Sequence, residues 1–211
     1  MADRTSELNE IAAQVRACTR CPLYKSATNA VPGEGPANAE IMMIGEGPGF
    51  HEDQQGRPFV GASGKFLDEL LAHIELKRSD IFITNVVKHR PPENRDPSPE
   101  EMEACRGWLD QQIELIKPKV IVTISRFAMA RWFPNEKITV IHGKAKRFGN
   151  VMVVPMFHPA AALRNVNLKP VMIEDFKKLP KYIQEAKKNE NPPPPQEPKQ
   201  DDPPIQQLKM F

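Results

Sequence analysis

The chain contains no apolar run approaching the roughly 18 residues that a membrane-spanning helix needs. Its first ten residues, Met1 to Glu10, are polar and acidic, unlike a secretory signal. Cysteine is scarce: three residues, an odd number, argue against a disulfide framework and for a reducing, cytoplasmic setting. Charge of either sign is also nearly balanced, at a net +2. Residues 189–211 carry four acids and two lysines, a net −2, so residues 1–188 carry +4. That mild basic bias is compatible with nucleic acid but does not demand it, and a solvated mixed-charge surface fits equally well.

What is present fits a single domain followed by a tail. The chain has 211 residues, 40% hydrophobic and 27% charged, enough for one core of ordinary size. Cys18 and Cys21 stand at C-x-x-C spacing, and Cys105 is the third thiol. With His89 as the best fourth candidate, they make a three-cysteine, one-histidine set that would pin the N-terminal region to the middle of the chain. Thiolate and imidazole suit both zinc and iron–sulfur centres, and spacing alone favours zinc.

Apolar positions Leu8, Ile11, Ala12 and Val15 predict a helix over 6–17, capped by Ser6 or Thr5. Four short apolar runs, 40–44, 81–87, 119–124 and 151–155, read as buried strands. Helices are expected over 66–74, from Ser98 onward, over 125–132 and over 170–187. Ser98-Pro99-Glu100-Glu101 carries an N-cap, an N1 proline and early acids, with Cys105 about two turns in. Strands alternating with helices imply an α/β fold, a mainly parallel sheet covered on both faces.

Three strands finish beside polar side chains: Glu46 after the first, Asn85 in the second and His158 after the fourth. Strand ends of a parallel sheet converge, so these groups share one address. Taken singly each has a plainer reading: an asparagine satisfying backbone, a structural histidine, and Phe59 as core. The glycines of Gly45-Glu46-Gly47-Pro48-Gly49 do not make a dinucleotide loop, because Phe50 stands where the third glycine belongs and Glu46 would repel phosphate. They suit close backbone approach to a flat, uncharged ligand.

Together these stretches resemble the family 4, iron–sulfur uracil-DNA glycosylases. The matching pieces are Gly45-Glu46-Gly47-Pro48-Gly49 with Glu52-Asp53, Gly56-Arg57-Pro58-Phe59-Val60-Gly61, Thr84-Asn85-Val86-Val87-Lys88, Arg90-Pro91-Pro92, Asn94-Arg95 and His158-Pro159-Ala160. The resemblance runs from about Cys18 to Leu179 and implies a three-layer α/β/α fold on a four-stranded mainly parallel sheet. It also implies a [4Fe–4S] cluster on Cys18, Cys21, His89 and Cys105, and removal of uracil from DNA. The family has cysteine at the position of His89. Relatives that trap DNA covalently carry histidine there as a ligand, but owe trapping to another histidine in a basic insertion. Residues 90–104 hold neither insertion nor histidine, so turnover is expected. A three-iron cluster leaving His89 free is the alternative.

The resemblance also distributes roles. Asn85 would read uracil O4 and N3–H, Phe59 would stack on the base, and backbone amides around Gly47 would face it. His158 would donate a hydrogen bond to the charge developing on O2, which a neutral imidazole can do. Glu46 and Glu52 are both candidates to activate water, or Glu52 fills the space a thymine methyl would need. Pro159, Leu163 and Arg164 would press into the minor groove, and Ser63 would contact phosphate.

From Asn191 to Pro204 seven of fourteen residues are proline, which reads as an extended spacer after a catalytic unit of residues 1–188. It ends in Gln207-Leu208-Lys209-Met210-Phe211, which resembles the bacterial sliding-clamp-binding pentapeptide. A monomer in a bacterial cytoplasm, tethered to the replication clamp near the nucleoid, is the resulting expectation. Two rival readings keep the fold without the catalysis: a metal-stabilised protein that binds uracil-DNA, and a zinc-bound interaction module with a clamp-directed tail.

Overall fold

The apolar runs become the strands of one sheet. The computed structural model describes residues 3–188. In chain order the elements are α1 (Arg4–Arg16), β1 (Ile41–Gly45), α2 (Phe50–Gln55), α3 (Ala62–Ala72), β2 (Phe82–Asn85) and α4 (Pro99–Ile116). They continue with β3 (Val120–Thr123), α5 (Arg126–Ala130), α6 (Ile138–Ile141), β4 (Lys146–Phe148) and β5 (Val151–Pro155). The helices α7 (Pro159–Arg164), α8 (Leu168–Phe176) and α9 (Leu179–Lys188) complete the described chain. The proline-rich stretch, Gln207–Phe211 and the boundary after residue 188 lie outside the described residues.

The sheet has the order β2-β1-β3-β5-β4. β1 pairs in parallel with β2 and β3, and β3 with β5. Four parallel strands match the sequence expectation; the fifth, β4, is added antiparallel on β5. Its three residues, Lys146-Arg147-Phe148, are partly exposed and carry no apolar run, so periodicity could not reveal it. The reversal of order around β1 puts a crevice at the carboxyl ends of β1 and its neighbours.

Side chains alternate across β1. Ile41 and Met43 face a layer with Leu67, Leu70 and Leu71 of α3, Met172 and Phe176 of α8, and Leu179 of α9. Met42 and Ile44 face the other layer, with Leu109 and Ile116 of α4 and Met129 of α5. A third cluster, Val15, Leu23, Val87, Cys105 and Trp108, packs α1 onto α4.

Local signals explain some ends and miss others. At α4 the Ser98 hydroxyl accepts from the Glu101 N–H at 3.3 Å, and Glu101 Oε2 accepts from the Ser98 N–H at 2.8 Å. Arg95 grips the same carboxylate at 2.7 and 2.9 Å, holding its pKa below the ordinary carboxylate value. At α1 the cap is Asp3, not Ser6 or Thr5, and it makes no side-chain capping bond. The helix starts earlier because Arg4 and Thr5 join its first turn. The helix expected over 170–187 is two, α8 and α9, broken at Lys177 and Lys178.

Candidate active site

The crevice is a cleft of about 520 Å³ lined by Glu46, Gly47, Gly49, Glu52, Phe59, Ser63, Asn85, Asn94, Asp96, His158, Ala160, Ala161 and Arg164. Its members come from the end of β2, the loops after β1, β2 and β5, α2 and the loop that follows it, the first turn of α3, and α7. Residues up to 118 positions apart therefore meet because parallel strands end together: Glu46 and Arg164 share one cavity.

Asn85 closes β2 and is 2% exposed. Its side-chain Oδ1 is buried and has no hydrogen-bond partner. A buried carbonyl left unpaired costs about 1–3 kcal/mol, which a ligand donor can recover. Gly45 is its partner across the β1–β2 ladder. A Cβ at Gly45 would lie 2.3 Å from that Oδ1 and 3.0 Å from two ring atoms of Phe59. The absent side chain is what lets the amide and the ring approach each other.

Phe59 adopts a left-handed conformation (φ 53°), uncommon for a bulky residue. Its surroundings hold it there. Arg78 donates to the Phe59 carbonyl at 2.9 Å and also to the Pro58 carbonyl. Gly64 packs so closely that a Cβ there would fall 1.7 Å from the same Phe59 oxygen. The ring lies 5.6 Å from the His158 ring, the planes 29° apart.

Glu52 spends its carboxylate on main chain. Oε1 accepts from the Val60 and Gly61 N–H groups at 2.9 and 3.0 Å, and Oε2 from the Gly49 N–H at 3.2 Å. It ties the loop bearing Phe59 to the glycine loop. Glu46 carries no side-chain hydrogen bond or ion pair among the described residues. Burial pushes its carboxyl above the ordinary value, nearby Asp96 adds to this, and Arg126 opposes it. Asp96 is itself ion-paired with Arg126.

His158 caps α7: its Nδ1 accepts from the Ala160 N–H at 3.1 Å. The neutral ring therefore carries its proton on Nε2. Burial lowers its pKa to about 4; Glu52 opposes and Arg164 reinforces the shift. A neutral donor in this position suits a developing anion rather than proton transfer at physiological pH.

The cleft brings together Glu46, Gly47, Glu52, Phe59, Ser63, Asn85, His158 and Arg164, all expected from sequence. Pro159 is a correction: it is buried at the first position of α7 and cannot press into a groove. Leu163 is 48% exposed outside the cleft, and Val166, which sequence reasoning passed over, is 65% exposed beside it in sequence. Asp96 was also missed, and Asn94, one of the matching pieces, was given no role; their loop follows β2, and its proline content was the signal available.

Cys18, Cys21 and Cys105 are free thiols that share the third apolar cluster. The Trp108 indole N–H donates to Cys18 Sγ at 3.3 Å. Burial raises Cys21 and Cys105 above the ordinary thiol value; Lys88 opposes this at Cys105 and the Leu23 backbone at Cys21, while the neighbouring thiols add to it. His89 is buried too, which lowers its imidazole pKa. Among the described residues no three His, Cys, Asp or Glu side chains form a group that could hold a metal ion. The expected set of Cys18, Cys21, His89 and Cys105 does not form such a group among the described residues.

A doubly covered, mostly parallel sheet carries an unpaired amide oxygen, an aromatic ring and a neutral imidazole in a cleft at its carboxyl edge. Comparison with known sequences gives the family. The family model for the uracil DNA glycosylase superfamily matches residues 32–186, and the chain belongs to that superfamily. It is similar to the type-4 uracil-DNA glycosylase of Sulfurisphaera tokodaii, 47% identical over 182 residues, 82% of this chain and 83% of the relative. The same holds for that of Archaeoglobus fulgidus, 46% identical over 82% of this chain and 91% of the relative. A third, from Thermotoga maritima, is 42% identical over 85% of this chain and 96% of the relative.

Proposed function

We propose that this chain is a DNA-repair glycosylase that flips uracil from DNA, hydrolyses its N-glycosidic bond and leaves an abasic site. The observation that carries this reading is the buried, unpartnered Asn85 Oδ1 in the cleft. Uracil N3–H is the donor it lacks, and the amide N–H of the same side chain donates to O4. Cytosine presents an acceptor at N3 and would leave the oxygen unpaired, at a cost of a few kcal/mol. Phe59 offers a stacking face and Gly47 a backbone edge.

As the C–N bond breaks, electrons pass to the uracil ring. The Nε2–H of His158 donates to the O2 that gains charge, an effect worth about 3–4 kcal/mol. Water adds its oxygen to C1′. Glu46 takes the water's proton; its unengaged carboxylate and raised pKa support that assignment. Glu52, held by three backbone N–H groups, acts by fixing the Phe59 loop. Ser63 and Arg164 would meet phosphate, and Leu163 with Val166 would fill the gap left in the helix.

Cys18, Cys21 and Cys105, with His89 as the fourth donor, would hold a [4Fe–4S] cluster. The support is three free thiols in one apolar cluster, Cys105 buried and Cys18 and Cys21 half-buried, where α1 meets α4. Such a cluster would cross-link these elements and so contribute folding energy. Iron and acid-labile sulfide assays on anaerobically purified protein test it; colourless, iron-free, fully active protein sinks it. The Gln207–Phe211 pentapeptide, read from sequence alone, would bind a sliding clamp. Deleting it should abolish clamp binding and spare uracil release from short oligonucleotides; unchanged binding refutes the assignment. No described helix is long and apolar enough to cross a membrane.

The deciding experiment is uracil release from an oligonucleotide, read by alkaline cleavage and a denaturing gel, beside Asn85→Ala and His158→Ala. Product from the wild type, strongly reduced in both variants, supports the reading. Intact DNA from a folded sample removes the catalysis, and a heat-stable retarded band replaces turnover with covalent capture.

A further inference from the structure

Lys88 is wholly buried, at 0% exposure. Its ammonium donates to Thr84 Oγ1 at 2.6 Å, Gln112 Oε1 at 2.8 Å and the main-chain carbonyl of Asn85 at 2.9 Å. Those bonds use all three donors of the group. No carboxylate is ion-paired with it among the described residues. Burying an ammonium on three neutral acceptors, with the Cys105 thiol as its neighbouring electrostatic partner, costs more than an apolar side chain of that length. Stability does not account for its presence.

The Asn85 carbonyl does. β2 is the edge strand of the sheet, and on its outer side a bridge pairs Glu34 with Ile83 through backbone bonds of 2.8 and 2.9 Å, which stops short of Asn85. The peptide joining Asn85 to Val86 is held on its inner side, where the Val86 N–H donates to the Gly45 carbonyl at 3.1 Å. The carbonyl of that same peptide points away from β1 and receives Lys88. One peptide plane is thereby pinned at both ends. That plane sets the backbone from which the Asn85 amide projects into the cleft.

We propose that Lys88 is a positioning residue for base recognition: beyond the Glu34 bridge its ammonium holds the outer edge of β2 and locks the peptide that aims Asn85. The role rests on the glycosylase reading above. Without the ammonium the peptide can rotate, and a displacement of about 1 Å at a recognition group costs on the order of 100-fold in rate. Contacts to the DNA backbone lie elsewhere, so KM should hold.

The test compares kcat, KM and melting temperature for Lys88→Met, Gln112→Leu and the double variant, on the full chain, with Asn85→Ala alongside. Lys88→Met should lose about 30- to 100-fold in kcat at unchanged KM. Gln112→Leu removes a Lys88 acceptor but leaves the Asn85 carbonyl bonded, so its kcat should stay within about threefold of wild type. In Lys88→Met, Gln112 Oε1 loses the ammonium and keeps only the Thr84 hydroxyl as donor at 3.0 Å; the double variant removes that under-satisfied acceptor, and Thr84 retains the Pro32 carbonyl at 3.2 Å. It should therefore regain melting temperature without regaining kcat. Should Lys88→Met fail to fold, the double variant carries the test.

Recovery of kcat along with melting temperature would overturn the proposal. So would a Gln112→Leu loss equal to that of Lys88→Met, or a Lys88→Met enzyme of normal kcat while Asn85→Ala is inactive. A wild type that leaves uracil in place overturns the glycosylase reading, and this role with it.

Discussion

Gly45→Ala tests the pocket's geometry at a single atom. The added methyl would sit 2.3 Å from Asn85 Oδ1, against 3.4 Å for ordinary contact, so amide and methyl must separate by about 1.1 Å. Two Phe59 ring atoms at 3.0 Å block relief on that side. Backbone relief is also constrained, because Gly45 is registered against Asn85 on one side and β1 continues onto β3 on the other. Moving a recognition group by about 1 Å should cost on the order of 100-fold in the chemical step, or about 2.7 kcal/mol. Overpacking should also destabilise the fold by about 1–3 kcal/mol. Single-turnover uracil release at saturating enzyme isolates the first effect, and urea denaturation measures the second. Gly107→Ala is the control: it lies inside α4, the nearest outside atom is 3.8 Å away, and the change should stabilise by about 1 kcal/mol with full activity. A Gly45→Ala enzyme with wild-type single-turnover rate would refute the placement of Asn85 and Phe59.

The folded pKa of His158, about 4, lies below its ordinary 6.5. Unfolded chains therefore bind a proton first as pH falls. This contribution to stability is complete above pH 6.5 and fades between 6.5 and about 4, by about 3 kcal/mol at most. Urea midpoints at about pH 7.5 and about pH 4.5 should fall less for His158→Asn than for wild type; equal falls contradict the assignment. Glu46 must be ionised to accept a proton, so activity should decline as pH drops through its raised pKa, above the ordinary 4.5. Asp96→Asn removes a neighbouring negative charge and should move that acid limb to lower pH; a shift upward would exclude Asp96 as a cause. Glu52→Gln offers one oxygen to three N–H groups and should destabilise by about 1–3 kcal/mol, with slower uracil release as the Phe59 loop loosens. A thermal melt matching wild type would show that those bonds contribute nothing.

Some features were written locally and could be read without coordinates. Continuous apolar runs located β1, β2, β3 and β5, because a strand buried on both faces has no alternative composition. Ser98-Pro99-Glu100-Glu101 located the start of α4, because a helix terminus is satisfied by residues within one turn. The convergence of Glu46, Asn85 and His158 followed from strand polarity alone, since parallel strands release their chains at the same edge.

Other features depended on partners distant in sequence. Nothing near Glu52 announces that Val60 and Gly61 will take its carboxylate, nor does Pro159 reveal that α7 turns it inward. β4 exists because β5 offers an edge, not because Lys146-Arg147-Phe148 favours a strand. The strained backbone of Phe59 persists only under Arg78 and Gly64. Burial separates the two sets: it lowers the pKa of His158, raises that of Glu46, and confines the ammonium of Lys88 against the Asn85 carbonyl. Residue type and spacing determined which groups could meet at the sheet edge. Desolvation and close packing, which arise only once the layers assemble, decided the protonation state, direction and partner of each.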